Sequence, residues 1–325
     1  MQRQRAQDYS QYTSTGFKLL KHPVAMQRAA AGMATPLVLQ VAPTAKCNLS
    51  CHFCSHKGRA HYSDLSIDCL RPLILALRKQ GLRAVELTGG GDPLLYPNIT
   101  ELSNFIVSEC GLKLGIITNG ILLHRLQRQT LDLFHWIRIS ANFVDLPIFE
   151  ATCASLPAAN SIKGTLACSY VWGEESTPES IENLKALAIH IQPEYVRLLV
   201  DCFSPLQQQR DSSAVLSWYC HHLGDRFFHQ YKEFQQSIPC LWCHYKPFVM
   251  YDGNVYPCNS LNLQPGMKRS MQAKYKWCTI EELPSKYTAP MQPYKHSMKC
   301  SRCPFLNQNA LVHAFLNSSE MDDFI

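Results

Sequence analysis

Nowhere in the 325 residues does an apolar run reach about 18, the length of a membrane-crossing helix, so no transmembrane segment is expected. The stretch Met1 to Phe17 lacks the apolar core of an export signal; it is polar and carries Arg3, Arg5 and Asp8. The expected compartment is therefore the cytoplasm, with no membrane partner. Internal repeats, low-complexity tracts and dense runs of one charge are also missing. The net charge of +6 reads as a solvated surface with surplus Lys and Arg. It tolerates anionic substrates, but no basic stripe interleaved with aromatics marks a nucleic-acid binder.

Cysteine is abundant instead. There are 15, an odd number, without an export signal to direct them to disulfides. Eight fall into two groups: Cys47, Cys51 and Cys54 near the start, and Cys240, Cys243, Cys258, Cys300 and Cys303 near the end. Clustered thiols in a reducing compartment point to metal. The scattered others (Cys69, Cys110, Cys153, Cys168, Cys202, Cys220, Cys278) read as small buried apolar residues.

Between Leu37 and about Pro205 two patterns alternate. Short apolar runs read as buried strands: Leu37–Val41, Ala84–Thr88, Leu114–Thr118, Trp136–Ser140, Thr165–Tyr170 and Tyr195–Val200. Helical segments lie between them. In Ser66–Gln80, Leu70, Leu73, Ile74 and Leu77 recur at helical spacing; in Thr177–His190, Thr177 is a capping residue and Pro178 takes the first helical position. Six strands alternating with helices imply an α/β protein with a parallel sheet. The count suits six βα units, a partial (β/α)6 TIM-like barrel; an open doubly wound sheet has the same pattern. Residues 211–236 read as helical. Residues 237–310 are loop-rich, with one hairpin, Phe248–Tyr256, turning at Asp252-Gly253-Asn254. Metal ligation is a natural way to hold so loop-rich a segment. The expected divisions are an N-terminal extension (1–34), the barrel (35–210) and a small C-terminal domain (211–325).

After the first strand comes Cys47-Asn48-Leu49-Ser50-Cys51-His52-Phe53-Cys54, a C-x3-C-x2-C run. Three thiolates on one short loop can converge on one face of a four-iron cube and leave one iron without a protein ligand. An open coordination position marks chemistry rather than structure. The run resembles the signature of the radical S-adenosylmethionine (SAM) superfamily, including the aromatic Phe53 before the last cysteine. The resemblance implies a [4Fe–4S] cluster on Cys47, Cys51 and Cys54. It implies SAM chelated to the fourth iron, reductive cleavage to a 5′-deoxyadenosyl radical, and hydrogen abstraction from a substrate. It also implies an electron donor such as flavodoxin or ferredoxin.

A second motif ends strand two: Gly89-Gly90-Gly91-Asp92-Pro93. Glycines let the backbone approach a ligand closely. The family carries Gly-Gly-Glu-Pro here, with backbone contacts to the SAM amine, so the resemblance assigns Gly89, Gly90, Gly91 and Asp92 to SAM. Asp92 stands where Glu is usual. Asn119 after strand three, Ser140 and Asn142 after strand four, and Arg197 to Leu199 on strand six match other SAM positions of the family. A parallel barrel builds its site at such strand ends.

Cys243 and Cys258 straddle the hairpin in a C-x9-G-x4-C pattern, and Cys300-x2-Cys303 follows. This resembles the SPASM and Twitch extensions of radical SAM enzymes. It implies an auxiliary [4Fe–4S] cluster on Cys243, Cys258, Cys300 and Cys303, with Cys240 spare. Two C-x2-C pairs, Cys240/Cys243 and Cys300/Cys303, are equally good zinc chemistry. The fate of the substrate radical is not readable. Cys168, Tyr170 and Glu174 are candidates for hydrogen or proton transfer, each with an ordinary structural explanation. The expected substrate is a small molecule or peptide. The alternatives are a nucleoside or nucleic acid base, and a non-catalytic Fe–S or zinc protein.

Overall fold

The computed structural model describes residues 12–13, 16–56, 63–232, 234–261 and 275–317. Much of the expected N-terminal extension lies outside them. In chain order, helix α1 (Pro23–Ala30) precedes strand β1 (Val38–Val41), then α2 (Ile67–Lys79), β2 (Ala84–Leu87), α3 (Ile99–Asn104) and β3 (Lys113–Thr118). Next come α4 (Arg128–Leu131), β4 (Trp136–Ser140), α5 (Phe149–Ser155), β5 (Thr165–Trp172), α6 (Pro178–Ile191) and β6 (Tyr195–Val200). The chain continues through α7 (Leu206–Leu223), β7 (Phe227–His229), β8 (Phe248–Val249), β9 (Asn254–Tyr256), β10 (Cys278–Thr279) and α8 (Leu306–Leu316).

Local chemistry explains these boundaries. Leu70, Leu73, Ile74 and Leu77 of α2 are all buried, and the Ser66 hydroxyl caps the helix by accepting from the Asp68 N–H at 3.2 Å. Thr177 and Ser180 form a reciprocal capping box at the start of α6, where Pro178 needs no partner for an N–H.

Strands β1 to β7 pair side by side in chain order, all parallel. A doubly wound sheet would reverse its order; this one does not, and the architecture is a partial barrel. β8 adds in parallel to the free edge of β1, and β9 and β10 continue antiparallel. The C-terminal hairpin thus extends the barrel's own sheet. It turns at Gly253, whose φ of 77° is the left-handed conformation that favours glycine.

One expectation needs correction. The segment 211–236 is not helical throughout: α7 stops at Leu223, Gly224 turns the chain at φ 88°, and Phe227–His229 becomes the seventh parallel strand. A strand of three residues is too short to leave a readable period. At the N-terminal end of the barrel, Tyr12 stacks on Tyr195 with ring centroids 4.3 Å apart and donates to Glu194 at 2.9 Å. No helix among the described residues is long and apolar enough to cross a membrane.

Candidate functional site

The loop after β1 and the loop after β2 are locked together through their backbones. Gly91 N–H donates to Thr44 O at 2.8 Å, and Asp92 N–H to Lys46 O at 2.7 Å. A β-carbon on Gly91 would stand 1.9 Å from Lys46 O, so the glycine is sterically required. Gly90 lies beneath the Tyr251 ring, which a β-carbon there would meet at 2.5 Å. The C-terminal hairpin therefore packs on the glycine run.

Asn119 joins three strand ends. Its amide donates to Asn48, between Cys47 and Cys51, at 2.6 Å, and its backbone N–H donates to Asp92 at 2.7 Å. Asp92 is buried and also accepts from the Thr118 hydroxyl at 2.8 Å and Leu94 N–H at 2.9 Å. Burial raises its pKa against these donors. The shorter carboxylate thus works as a brace between the glycine run and the end of β3. Asn142 is likewise committed to backbone, donating to Val171 O at 2.8 Å and accepting from Val171 N–H at 3.1 Å.

Cys47, Cys51 and Cys54 are half-buried thiols. Phe53 and Ser55 of their loop, with Ser140, Val171 and Leu199 at the ends of β4, β5 and β6, line a cavity of about 1130 Å³. His52 reaches sideways to Glu175 at 2.9 Å and sits against Gly173, where a β-carbon would be 2.6 Å from its Nε2. Asn48 and His52 lie inside the cysteine motif, where sequence spacing alone gives them no role. Cys168 and Tyr170 are fully buried and do not line the cavity. Burial pushes the Cys168 thiol up to about 12, which suits a core residue.

Halfway down the barrel the wall is polar. Gln40 and Glu86 face each other across β1 and β2, and Gln40 donates to Glu86 at 2.6 Å. Lys246 closes an ion pair with Glu86 at 3.0 Å. Burial alone would raise the Glu86 carboxyl, but Lys246 and then Arg138 outweigh it and hold its pKa low. Arg138 and Arg197 complete this belt on β4 and β6. The sequence carried the signal: one polar residue stands inside each of four apolar strands, VLQV, AVEL, WIRIS and YVRLLV.

The C-terminal thiols converge. Cys243 and Cys303 are buried; Cys240, Cys258 and Cys300 are half-buried. Burial raises the thiols of Cys243, Cys258, Cys300 and Cys303, and every one of the four also feels the charge of Cys240. Cys240 lies beside the group: the Cys243 thiol donates to its backbone O at 3.5 Å. Its own pKa is lowered, first by a hydrogen bond from the Cys243 thiol. Tyr294 N–H donates to Cys240 O at 2.8 Å, and Cys303 N–H to Gln235 O at 2.8 Å. Asn309 of α8 accepts from Leu241 N–H at 2.7 Å and Trp242 N–H at 3.1 Å, and donates to Pro239 O at 2.8 Å.

Among the described residues, no group of three or more His, Cys, Asp or Glu closes to the spacing of a single metal ion. That spacing is the demand of one zinc, about 2.3 Å from each sulfur; a four-iron cube spans wider gaps. The donor set itself fits iron–sulfur clusters: all-thiol, in groups of three and five.

Comparisons with known proteins agree with this geometry. A profile of the Radical SAM superfamily matches residues 41–142, which hold both the cysteine run and the glycine run. A probable GTP 3′,8-cyclase of Methanococcus maripaludis strain C5 is 32% identical over 285 residues, 87% of this chain and 86% of its own. An S-adenosylmethionine-dependent nucleotide dehydratase of Selenomonas ruminantium is 33% identical over 125 residues, 38% of this chain and 44% of its own. The Streptococcus suis SuiB structure bound to S-adenosylmethionine shares the fold, with a TM-score of 0.53 at 16% identity, over 79% of this chain and 67% of that one. So does anSMEcpe with bound AdoMet, with a TM-score of 0.53 at 13% identity, over 86% of this chain and 82% of that one. The chain belongs to the radical SAM superfamily: it is an enzyme that uses a [4Fe–4S] cluster and SAM.

Proposed function

We propose that Cys47, Cys51 and Cys54 hold the SAM-binding cluster. In this reading Phe53, Gly89, Gly90, Gly91, Asn119, Ser140, Asn142 and Leu199 form or brace the SAM site, and the cavity beneath receives the substrate. Cluster and SAM, when bound, supply a 5′-deoxyadenosyl radical that abstracts hydrogen from that substrate. The observation that carries the reading is the contact between Gly91 and Lys46, which presses the glycine run onto the cysteine loop at the cavity's mouth. Asp92 acts from behind, as a positioning residue.

The loop-rich C-terminal segment, about 237–310, holds an auxiliary [4Fe–4S] cluster in this reading. Its four ligands come from Cys240, Cys243, Cys258, Cys300 and Cys303. Cys240 is counted as a candidate in place of one of the other four, because the Cys243 thiol lies beside it and donates to its backbone O at 3.5 Å. Four thiolates close such a cluster. Its role is then to accept an electron or to scaffold, which favours net oxidation of the substrate. Clustered thiols of this kind suit the reducing cytoplasm, with a flavodoxin or ferredoxin as donor. A second reading, radical chemistry on a nucleotide, is favoured by the names of the cyclase and dehydratase relatives.

The test is anaerobic incubation of the reconstituted, reduced enzyme with SAM. 5′-Deoxyadenosine should form, and replacing Cys47, Cys51 and Cys54 with Ala should abolish it. Formation undiminished by the triple replacement would end this reading.

A further inference from the structure

The polar belt halfway down the barrel is not charge-balanced. Two carboxylates line the cavity, Glu86 and Asp201, and Glu86 is matched by Lys246. Against Asp201 stand Lys18, Arg138, Arg197 and Lys232. Arg138 and Arg197 sit on β4 and β6 with β5 between them and a two-residue offset in register, so their backbones lie about 12 Å from each other. Each presents a buried Nε without a hydrogen-bond partner among the described residues. The Arg138 guanidinium lies over the Trp136 ring, 5.4 Å from its centroid, and Arg197 gives one nitrogen to Gln230 at 2.8 Å. Both are half-buried, open to the cavity though enclosed by protein. Crowding and burial lower Arg197 to about 9, burial first and Arg138 second; burial, then Arg197 and Arg138, also lower Lys232. Buried, mutually repelling cations with unused donors are costly for a protein to keep unless an anion meets them.

We propose that Arg138, Arg197 and Lys232 bind the phosphoryl group of a phosphorylated substrate and hold it halfway down the barrel. The reacting carbon then lies above, towards Ser140 and Leu199. Three cations suit a group that carries close to two negative charges at neutral pH better than one carboxylate does. The guanidinium fork matches phosphate oxygens in pairs. Ser140 and Leu199 are two residues further along the strands that carry Arg138 and Arg197, about 7 Å higher. That offset admits a phosphate ester whose reacting C–H is several bonds from phosphorus. The inference rests on the reading of this cavity as the substrate site.

The test titrates inorganic pyrophosphate into the reconstituted full chain with SAM bound, by calorimetry under anaerobic conditions, with citrate as the carboxylate control. Pyrophosphate should saturate one site and bind more tightly than citrate. Arg138→Gln and Arg197→Gln should each weaken it at least tenfold, and Arg197→Lys less. Arg210→Gln, on exposed α7 outside the cavity, should leave the affinity unchanged. Pyrophosphate should also raise the melting temperature of the wild type more than that of the Gln variants. If Arg197→Gln fails to fold, Arg138→Gln and Lys232→Gln carry the same comparison. No binding to the wild type, equal binding to the Gln variants, or citrate binding as tightly as pyrophosphate would overturn the proposal. 5′-Deoxyadenosine formation by the wild type is measured alongside: its absence would sink the radical reading and leave the phosphate result standing on its own.

Discussion

The two cysteine groups are held in opposite ways. The first three thiols ride on a half-exposed loop that is fixed from outside, by the glycine run through Thr44 and Lys46 and by Asn119 through Asn48. Of the five C-terminal thiols, Cys243 and Cys303 are buried and the other three half-buried, and the loop that carries Cys240 is pinned by Asn309. One group sits on a loop whose Phe53 and Ser55 line a cavity; the other keeps two of its five thiols buried. An open face suits an exchangeable ligand, and an enclosed one suits a permanent centre.

Substitutions at the supports sharpen this contrast. The largest effect should come from Gly91→Ala, whose β-carbon collides with backbone that has nowhere to move. SAM binding, followed by equilibrium dialysis, should fall by well over tenfold, while the C-terminal iron stays at about four per chain. Loss of both together would show that the two groups are not separately supported.

Glu86→Gln breaks a buried ion pair and should cost about 3 kcal/mol in denaturant unfolding at pH 7. The folded carboxyl titrates below its ordinary value of 4.5, so the stabilisation is present above that pH and lost as the pH falls through the lower folded value. The gap between wild type and variant should therefore hold from pH 7 to 5 and narrow below about 4.5. A constant gap down to pH 3 would contradict the assignment.

Asn309→Ala strips three hydrogen bonds from the loop that carries Cys240 and leaves two backbone N–H groups unsatisfied. It should cost about 2 kcal/mol and loosen the C-terminal cluster, with little change in SAM binding. The smallest effect belongs to Gly253→Ala at the hairpin tip. Its positive φ strains an alanine, but nothing lies within 4 Å of the added carbon, so about 1 kcal/mol is expected. Melting curves of Gly91→Ala and Gly253→Ala together separate contact from conformation.

Much of this was legible in the chain. The six barrel strands, the caps at Ser66 and Thr177, and the hairpin turn at Gly253 follow from local patterns. The two cysteine motifs and the glycine run mark the candidate site and the superfamily because their spacing is itself chemistry. What escaped was non-local. β7 is three residues long, and the pairing of β8 with β1 joins segments about 200 residues apart. Which four of the five C-terminal thiols face one another is likewise set by folding and not by spacing. Arg138 and Arg197 were visible as lone charges inside apolar strands, but that β4 and β6 turn them into one cavity depended on the curvature of the sheet.

The contrast between an open and an enclosed centre is tested most directly by electron paramagnetic resonance of the reduced enzyme before and after SAM is added. One of two cluster signals should change with SAM, and that change should vanish when Cys47, Cys51 and Cys54 are replaced by Ala while the second signal persists. A SAM-dependent change that survives the triple replacement, or two signals both indifferent to SAM, would contradict the account.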